Sequence, residues 1–382
     1  MPQLRRLNLS GCGRLTDHGL AVLRHLPELR DFEMTWQAGV SDAGVANLRF
    51  CEHLESVNLM GSPAGDGAIE ALQGKSALRR FSTGRLVTDA GLALLHNFPL
   101  LREWDGGPDE KAPRLMIDGP FTDAGLANLA GLRGVRELDL FRHVKQVTAA
   151  GFAHLVRMPN ILSLGCDGAL SSDEAMAHIG AMPRLRKLRA QESVATDAGF
   201  EALSRSQTLE SFWGRVCPNF GSRGFMAFSR MPALRGLGIG LKNVDDRALS
   251  SLPDFPALRE LTPIGLADDG FRHVGRCLGL ERLTCMYCRE TTDVATEQIA
   301  GLRIKYYYAG LTQITDRSLE ILGGMDSLEQ VDLYECNGVT GRGLVHLAAL
   351  PRLREVNLDS LPGVAREDTA VFPAHVRVRY TT

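Results

Sequence analysis

The sequence predicts an α/β solenoid, a horseshoe with a parallel β-sheet on its concave face and helices on its convex face. Three observations predict it. A unit of about 24 residues recurs along the chain, the leucines at the head of each unit alternate with period two, and a helix-start signal with apolar residues at helical spacing follows each head. The first copy reads Leu4-x-x-Leu7-x-Leu9-x-x-Cys12-x-x-Leu15-Thr16-Asp17-x-Gly19-Leu20-x-x-Leu23. Units open at Leu4, Leu29, Leu54, Leu78, Leu101, Val135, Ile161, Leu185, Leu209, Leu234, Leu258, Leu280, Ile304, Leu328 and Leu353. That spacing predicts fifteen repeats in a single domain over residues 1–382, because stacked repeats share one continuous core.

Each element has a local cause. The Leu-x-x-Leu-x-Leu head turns its leucines into the core and its intervening residues outward, as a strand does. A Thr-Asp or Ser-Asp pair follows, at Thr16-Asp17, Ser41-Asp42, Thr88-Asp89, Thr122-Asp123, Thr196-Asp197 and Thr315-Asp316. The hydroxyl suits a helix N-cap and the carboxylate suits the positive end of the helix dipole. Leucines at helical spacing come next, and Pro27, Pro99, Pro159, Pro183, Pro232 and Pro351 end the turn. Glycines such as Gly19, Gly44, Gly91, Gly125 and Gly199 belong to the recurring T-D-x-G-L turn and read as punctuation. The interval from Leu101 to Val135 is about ten residues too long, which places an insertion near 106–118, between the fifth strand and its helix. Its stretch from Gly106 to Arg114 is rich in Gly, Pro and charge and reads as a solvent loop. A strand at 375–380, Val376 to Tyr380, closes the array. At the other end, Met1-Pro2-Gln3-Leu4 aligns with internal junctions such as Met182-Pro183-Arg184-Leu185. The expectation there is either a frayed first repeat or an uncapped one covered by a preceding domain, further repeats or another subunit.

These residues resemble the leucine-rich repeat family over the whole chain, and its cysteine-containing subclass in particular. That subclass is known from substrate receptors of F-box ubiquitin ligases, and similar repeats are common in bacterial proteins. The resemblance implies a curved solenoid whose concave sheet binds a protein partner. It also raises an alternative, the substrate-recognition module of a ubiquitin-ligase-like complex whose adaptor-binding segment is absent from this chain.

Other classes find little support. A formal charge of −2 over 382 residues offers no electrostatic reason to bind nucleic acid or an acidic membrane. No apolar run approaches a membrane span and no signal-peptide core opens the chain, so the reading is a cytoplasmic protein. Cys277, Cys285 and Cys288 with His273 suggest a metal or an enzyme as a third possibility, but the repeat accounts for every cysteine. Cys12, Cys217, Cys288 and Cys336 lie eight residues after their opening residues, Cys51 and Cys277 lie three before one, and Cys166 and Cys285 take inward strand positions. His154, His178, His273 and His346 likewise share one helical position. No nucleophile–base set or phosphate loop is recognisable, so neither a catalytic residue nor a cofactor nor a metal is expected.

Departures from the repeat point to the binding surface. Outward strand positions collect Arg282, Met286, Tyr287, Tyr306, Tyr308 and Tyr334 in the C-terminal half, the composition of an interface hot spot. A one-residue slip at Lys305–Tyr308 would bury the opposite tyrosines. Lys187, Arg189, Trp213 and Arg215 form a second candidate strip, with Phe141, Arg142 and Trp36 at like positions in earlier repeats. Gly236, Gly238 and Gly240 leave the tenth strand bare, a notch for a large side chain.

Overall fold

Period-two alternation at the heads of the units, the fifth excepted, does form strands, and within each of two compact units every strand pairs in parallel with the next in sequence. A computed structural model describes residues 3–107 and 111–382. These fall into two units, Met1–Val194 and Ala195–Thr382. The first holds β1 (Arg6–Asn8), β2 (Asp31–Glu33), β3 (Ser56–Asn58), β4 (Arg80–Ser82), β5 (Arg114–Ile117), β6 (Glu137–Leu140), β7 (Ser163–Cys166) and β8 (Lys187–Arg189). The second holds β9 (Ser211–Gly214), β10 (Gly236–Gly240), β11 (Glu260–Ile264), β12 (Arg282–Met286), β13 (Tyr306–Gly310), β14 (Gln330–Tyr334), β15 (Glu355–Asp359) and β16 (Arg377–Thr381).

Register follows the leucine count. In the first unit Leu7, Phe32, Val57, Phe81, Leu115, Leu138, Leu164 and Leu188 pair in one row, and from Phe32 onward each is at most 2% exposed. In the second, Leu237, Leu261, Leu283, Tyr307, Val331 and Val356 form the corresponding row. Beneath it, Phe200, Phe212, Phe220 and Phe228 meet mostly edge to face, with Phe200 and Phe220 centroids 4.7 Å apart.

One boundary differs from the sequence expectation. Leu101 lies in a short helix, Pro99–Arg102, and the strand that pairs with β4 is Arg114–Ile117. The additional residues therefore precede the fifth strand rather than follow it. Pro99 occupies the first helical turn, where its missing N–H costs nothing. Leu115 and Ile117 then supply the alternating apolar pair that the core needs, while Trp104 packs beneath the Arg136 guanidinium at 4.8 Å. The expected loop's central residues, 108–110, lie outside the described residues.

The caps form largely as expected. Ser41, Thr88, Thr122, Thr148, Thr196, Thr292 and Thr315 each accept a hydrogen bond from a first-turn N–H of their own helix. Thr16 is an exception: the first helical segment is a 3-10 turn, Gly19–His25, whose N-cap is His18.

The aspartate does something the local reading does not anticipate, because its carboxylate reaches the next repeat. Asp17 accepts from the Ser41 N–H and hydroxyl, both at 2.7 Å. The same pair of hydrogen bonds joins Asp66 to Thr88, Asp89 to Thr122, Asp123 to Thr148, Asp268 to Thr292, Asp293 to Thr315 and Asp316 to Thr340. Each carboxylate thus satisfies orphan donors at the start of a neighbouring helix, and a charged acceptor makes those bonds strong. The glycine of T-D-x-G-L is the other half of the joint. A Cβ at Gly91 would run into Asp66 Oδ1, and one at Gly125 into Asp89 Oδ1. What reads as punctuation is clearance for the preceding repeat's carboxylate.

Candidate functional site

Outward positions on the second unit's sheet assemble most of the residues singled out by composition. Tyr307 is 1% exposed, whereas Tyr306 and Tyr308 stand half-buried on the outer face, so the register does not slip. The Arg282 guanidinium lies 3.9 Å from the Tyr306 ring centroid. Tyr306 donates its hydroxyl to Asp332 Oδ2 at 2.8 Å, and Asn357 and Gln330 donate to the same carboxylate at 2.6 and 3.0 Å. Burial, then the adjacent Asp332 carboxylate, pushes the Tyr306 phenol well above its ordinary range, so it remains a donor. Tyr308 lies over the bare Gly310 backbone, and burial pushes its phenol up to about 12.

A second stack reaches across the sheet. Arg215, just after β9, holds its guanidinium 5.7 Å from the Tyr287 centroid and donates to the Tyr287 hydroxyl at 3.4 Å. Tyr287 occupies the left-handed region at φ 55°, as do Trp36, Glu192, Val216, Leu311, Glu335 and Ser360. All lie seven residues after their opening residue, so the turn that ends each strand imposes the conformation and its strain. It also aims Tyr287 and Trp36 outward, 39% and 52% exposed. Met286 and Tyr334 flank Tyr287 half-buried, and the Glu335 carboxylate raises the Tyr334 phenol. The expected glycine notch is covered in part: Trp213 lies over Gly238, where a Cβ would fall 2.6 Å from indole Cζ3, while a Cβ at Gly240 would meet nothing within 4 Å.

In the first unit Arg189 is not a free cation. It bridges Asp139 and Asp167, and with Arg114 on Asp139 the group spans four strands. Burial acts against the Arg189 charge, but those carboxylates outweigh it and raise its pKa further. Lys187 is exposed. Trp36 and Phe141 bring their rings to 6.2 Å, with Arg142 over Phe141 at 5.9 Å. Sequence reasoning missed a recess of about 600 Å³ across β1 to β5, floored by Ser56, Asn58 and Ser82. Small polar residues leave no signal of their own; Arg80 and Lys111, which have no side-chain partner among the described residues, could have marked it.

The cysteines behave as repeat parts. Cys288 and Cys336 donate to the preceding repeat's carbonyls of Pro263 and Ala309 at 3.1 and 3.4 Å. Burial pushes the Cys51 thiol up to about 11 and Cys277 up to about 12, far from thiolate reactivity. Among the described residues no three His, Cys, Asp or Glu side chains converge as a metal site. Buried His273 bonds Asp246 at 2.7 Å. No helix of the described residues is long and apolar enough to cross a membrane.

No family model matches this chain, and no curated protein matches it. Among solved structures it is similar to a chain of the Rad7 and Elc1 complex in yeast, at 13% identity and a TM-score of 0.48, over 96% of this chain and 82% of that one. An internalin from Listeria monocytogenes aligns at 16% identity and a TM-score of 0.45, over 92% and 86%. The plant peptide hormone receptor RGFR1 in complex with RGF2 aligns at 13% and 0.38, over 95% and 57%. Likenesses this distant decide nothing, and the assignment rests on the unit itself: an inward row repeating in register, with a left-handed turn after the strand and a side-chain-capped helix in most copies. That is the leucine-rich repeat fold.

Proposed function

We propose that this chain is a non-catalytic scaffold that binds a protein partner through the outer face of its sheet, with the main contact on the second unit. The observation behind this reading is the aromatic–arginine surface of Arg215, Tyr287, Arg282, Tyr306, Tyr308 and Tyr334, two of whose tyrosines lie under guanidinium groups. Rings already held in place lose little side-chain entropy on binding, and Tyr, Trp and Arg are the residue types that dominate interface energetics. Trp213 and Met286 extend the apolar area. The non-catalytic reading is supported by thiols that burial keeps protonated and by histidines set by the helical repeat. Eight unbridged cysteines fit a reducing compartment, the cytoplasm.

The test is affinity capture from lysate of the source organism, comparing wild type with a Tyr287→Ala/Tyr308→Ala/Tyr334→Ala variant. Tyr306 is left intact because it braces Asp332. A protein retained by wild type and lost from the folded variant is the expected result. Identical captures would remove the tyrosine face as the site.

A further inference from the structure

The recess on the first unit has a charge pattern that its own residues do not resolve. Its lining carries four cations, Arg6, Arg80, Lys111 and Arg114, against two carboxylates, Asp31 and Glu33. Asp31 pairs with Arg6 at 3.0 Å, and Glu33 accepts from Asn8 at 3.2 Å. Arg114 turns away to Asp139 at 2.9 Å and toward Glu137 at 3.8 Å. Arg80 and Lys111 are left with neither a hydrogen bond nor an ion pair to any described side chain. Arg80 is also the register partner of Arg114 on the adjacent strand, about 4.8 Å away, where like charges oppose each other. Around them the hydroxyls of Ser56 and Ser82 and the amide nitrogen of Asn58 add donors with no partner among the described residues; Asn58 spends only its oxygen, on the Met60 N–H at 3.2 Å.

We propose that this recess is a second docking surface, which takes an extended acidic segment of a protein partner with its carboxylates over Arg80 and Lys111. Charge complementarity selects the occupant: two cations with no partner among the described side chains, above a floor of neutral donors, solvate carboxylates and repel basic chains. Size selects an extended peptide over a lone anion. Five strands leave four gaps of about 4.8 Å, roughly 19 Å in all, the span of about six extended residues. The surface shares no residue with the tyrosine face, so the two readings stand or fall separately.

The experiment is fluorescence anisotropy with the full chain and a fluorescein-labelled hexaglutamate peptide at ~50 mM salt, where exposed charges are weakly screened. Saturable binding that weakens with added salt is expected, falling at least about tenfold in Arg80→Ser/Lys111→Ser. It should persist in Lys145→Ser/Arg157→Ser, which removes the same charge from exposed positions outside the recess, and in the triple tyrosine variant. Equal loss in the Lys145/Arg157 variant would reduce the effect to net charge and overturn the proposal. So would hexaglutamate binding no tighter than a neutral Ser-Gly hexapeptide, or full displacement by inorganic phosphate at the peptide's own concentration, which would assign a small-anion site.

Discussion

Replacing Asp293 with alanine tests the joint between repeats most directly. Its carboxylate accepts four hydrogen bonds from the following repeat: the Thr315 N–H at 2.8 Å, the Thr315 hydroxyl at 2.6 Å, the Ser318 N–H at 3.2 Å and the Ser318 hydroxyl at 2.6 Å. The hydroxyls can rotate toward other acceptors, as Thr296 Oγ1 lies 2.8 Å from Ser318 Oγ, but the two N–H groups at the helix start cannot. Two part-buried donors left unmade at about 1–3 kcal/mol each put the loss at about 2–6 kcal/mol. Urea unfolding followed by circular dichroism measures the total, and amide hydrogen exchange at Thr315 and Ser318 localises it, with opening about 30-fold more frequent at the low end of that range. Asp326→Ala, exposed and without a hydrogen-bond partner in the described structure, is the control and should stay within about 0.5 kcal/mol. Acid adds an independent reading. Burial raises the Asp293 pKa, but the bonds from Ser318 and Thr315 outweigh it and hold the carboxyl below its ordinary 3.8. A depressed folded-state pKa means stability present above the unfolded value and lost as pH falls through the folded one. Stability should therefore fall less below pH 4 in the alanine variant than in wild type. A loss below about 1 kcal/mol, or exchange unchanged at Thr315, would refute the inter-repeat role.

Leu333→Ala empties a fully buried inward position of β14 and should cost about 2–5 kcal/mol by the same urea assay; a cost under about 1 kcal/mol would place the register in error. Gly91→Ala should displace the Asp66 carboxylate from Thr88 and destabilise by about 1–3 kcal/mol, whereas Gly301→Ala, with no atom within 4 Å of the added Cβ, should not. Equal effects at the two glycines would dismiss clearance as the reason for the first.

Features with a local cause were legible in the sequence. Inward leucines announce themselves by period two, and the same period sends Tyr306 and Tyr308 outward while burying Tyr307. Caps are legible because Thr and Ser bond their own helix. Asp293 is not, because its partners lie 22 and 25 residues downstream, and a carboxylate beside a cap suggests its own helix dipole first. The fifth strand was misplaced because Leu101 keeps the leucine count while Pro99 starts a helix there. The left-handed turn position holds Gly at Gly11, Gly61, Gly168 and Gly265 but Trp, Glu, Val, Tyr, Leu or Ser in seven other copies, so glycine marks it only in part. The outer face was legible as a list of residues but not as contacts: that Trp213 covers Gly238 and that Arg189 bridges Asp139 and Asp167 depends on which neighbour each side chain leans toward.

The division of labour within one repeat explains why a surface so varied can sit on a frame so regular. The inward row and the Asp–Thr–Gly joint use positions that never reach the outer face, so Arg80, Gly238 and Tyr308 can differ completely without disturbing either. Substitutions on that face should then change recognition while leaving stability nearly intact, with one informative exception. Tyr306 is part of both systems: its ring carries Arg282, and its hydroxyl, with Asn357 and Gln330, holds Asp332 across three strands. Removing that ring would strip Asp332 of one donor and free Arg282 at once, which is why a loss of binding in Tyr306→Ala would not by itself distinguish a lost contact from a loosened surface, whereas the same loss in Tyr308→Ala, whose hydroxyl anchors no carboxylate, would.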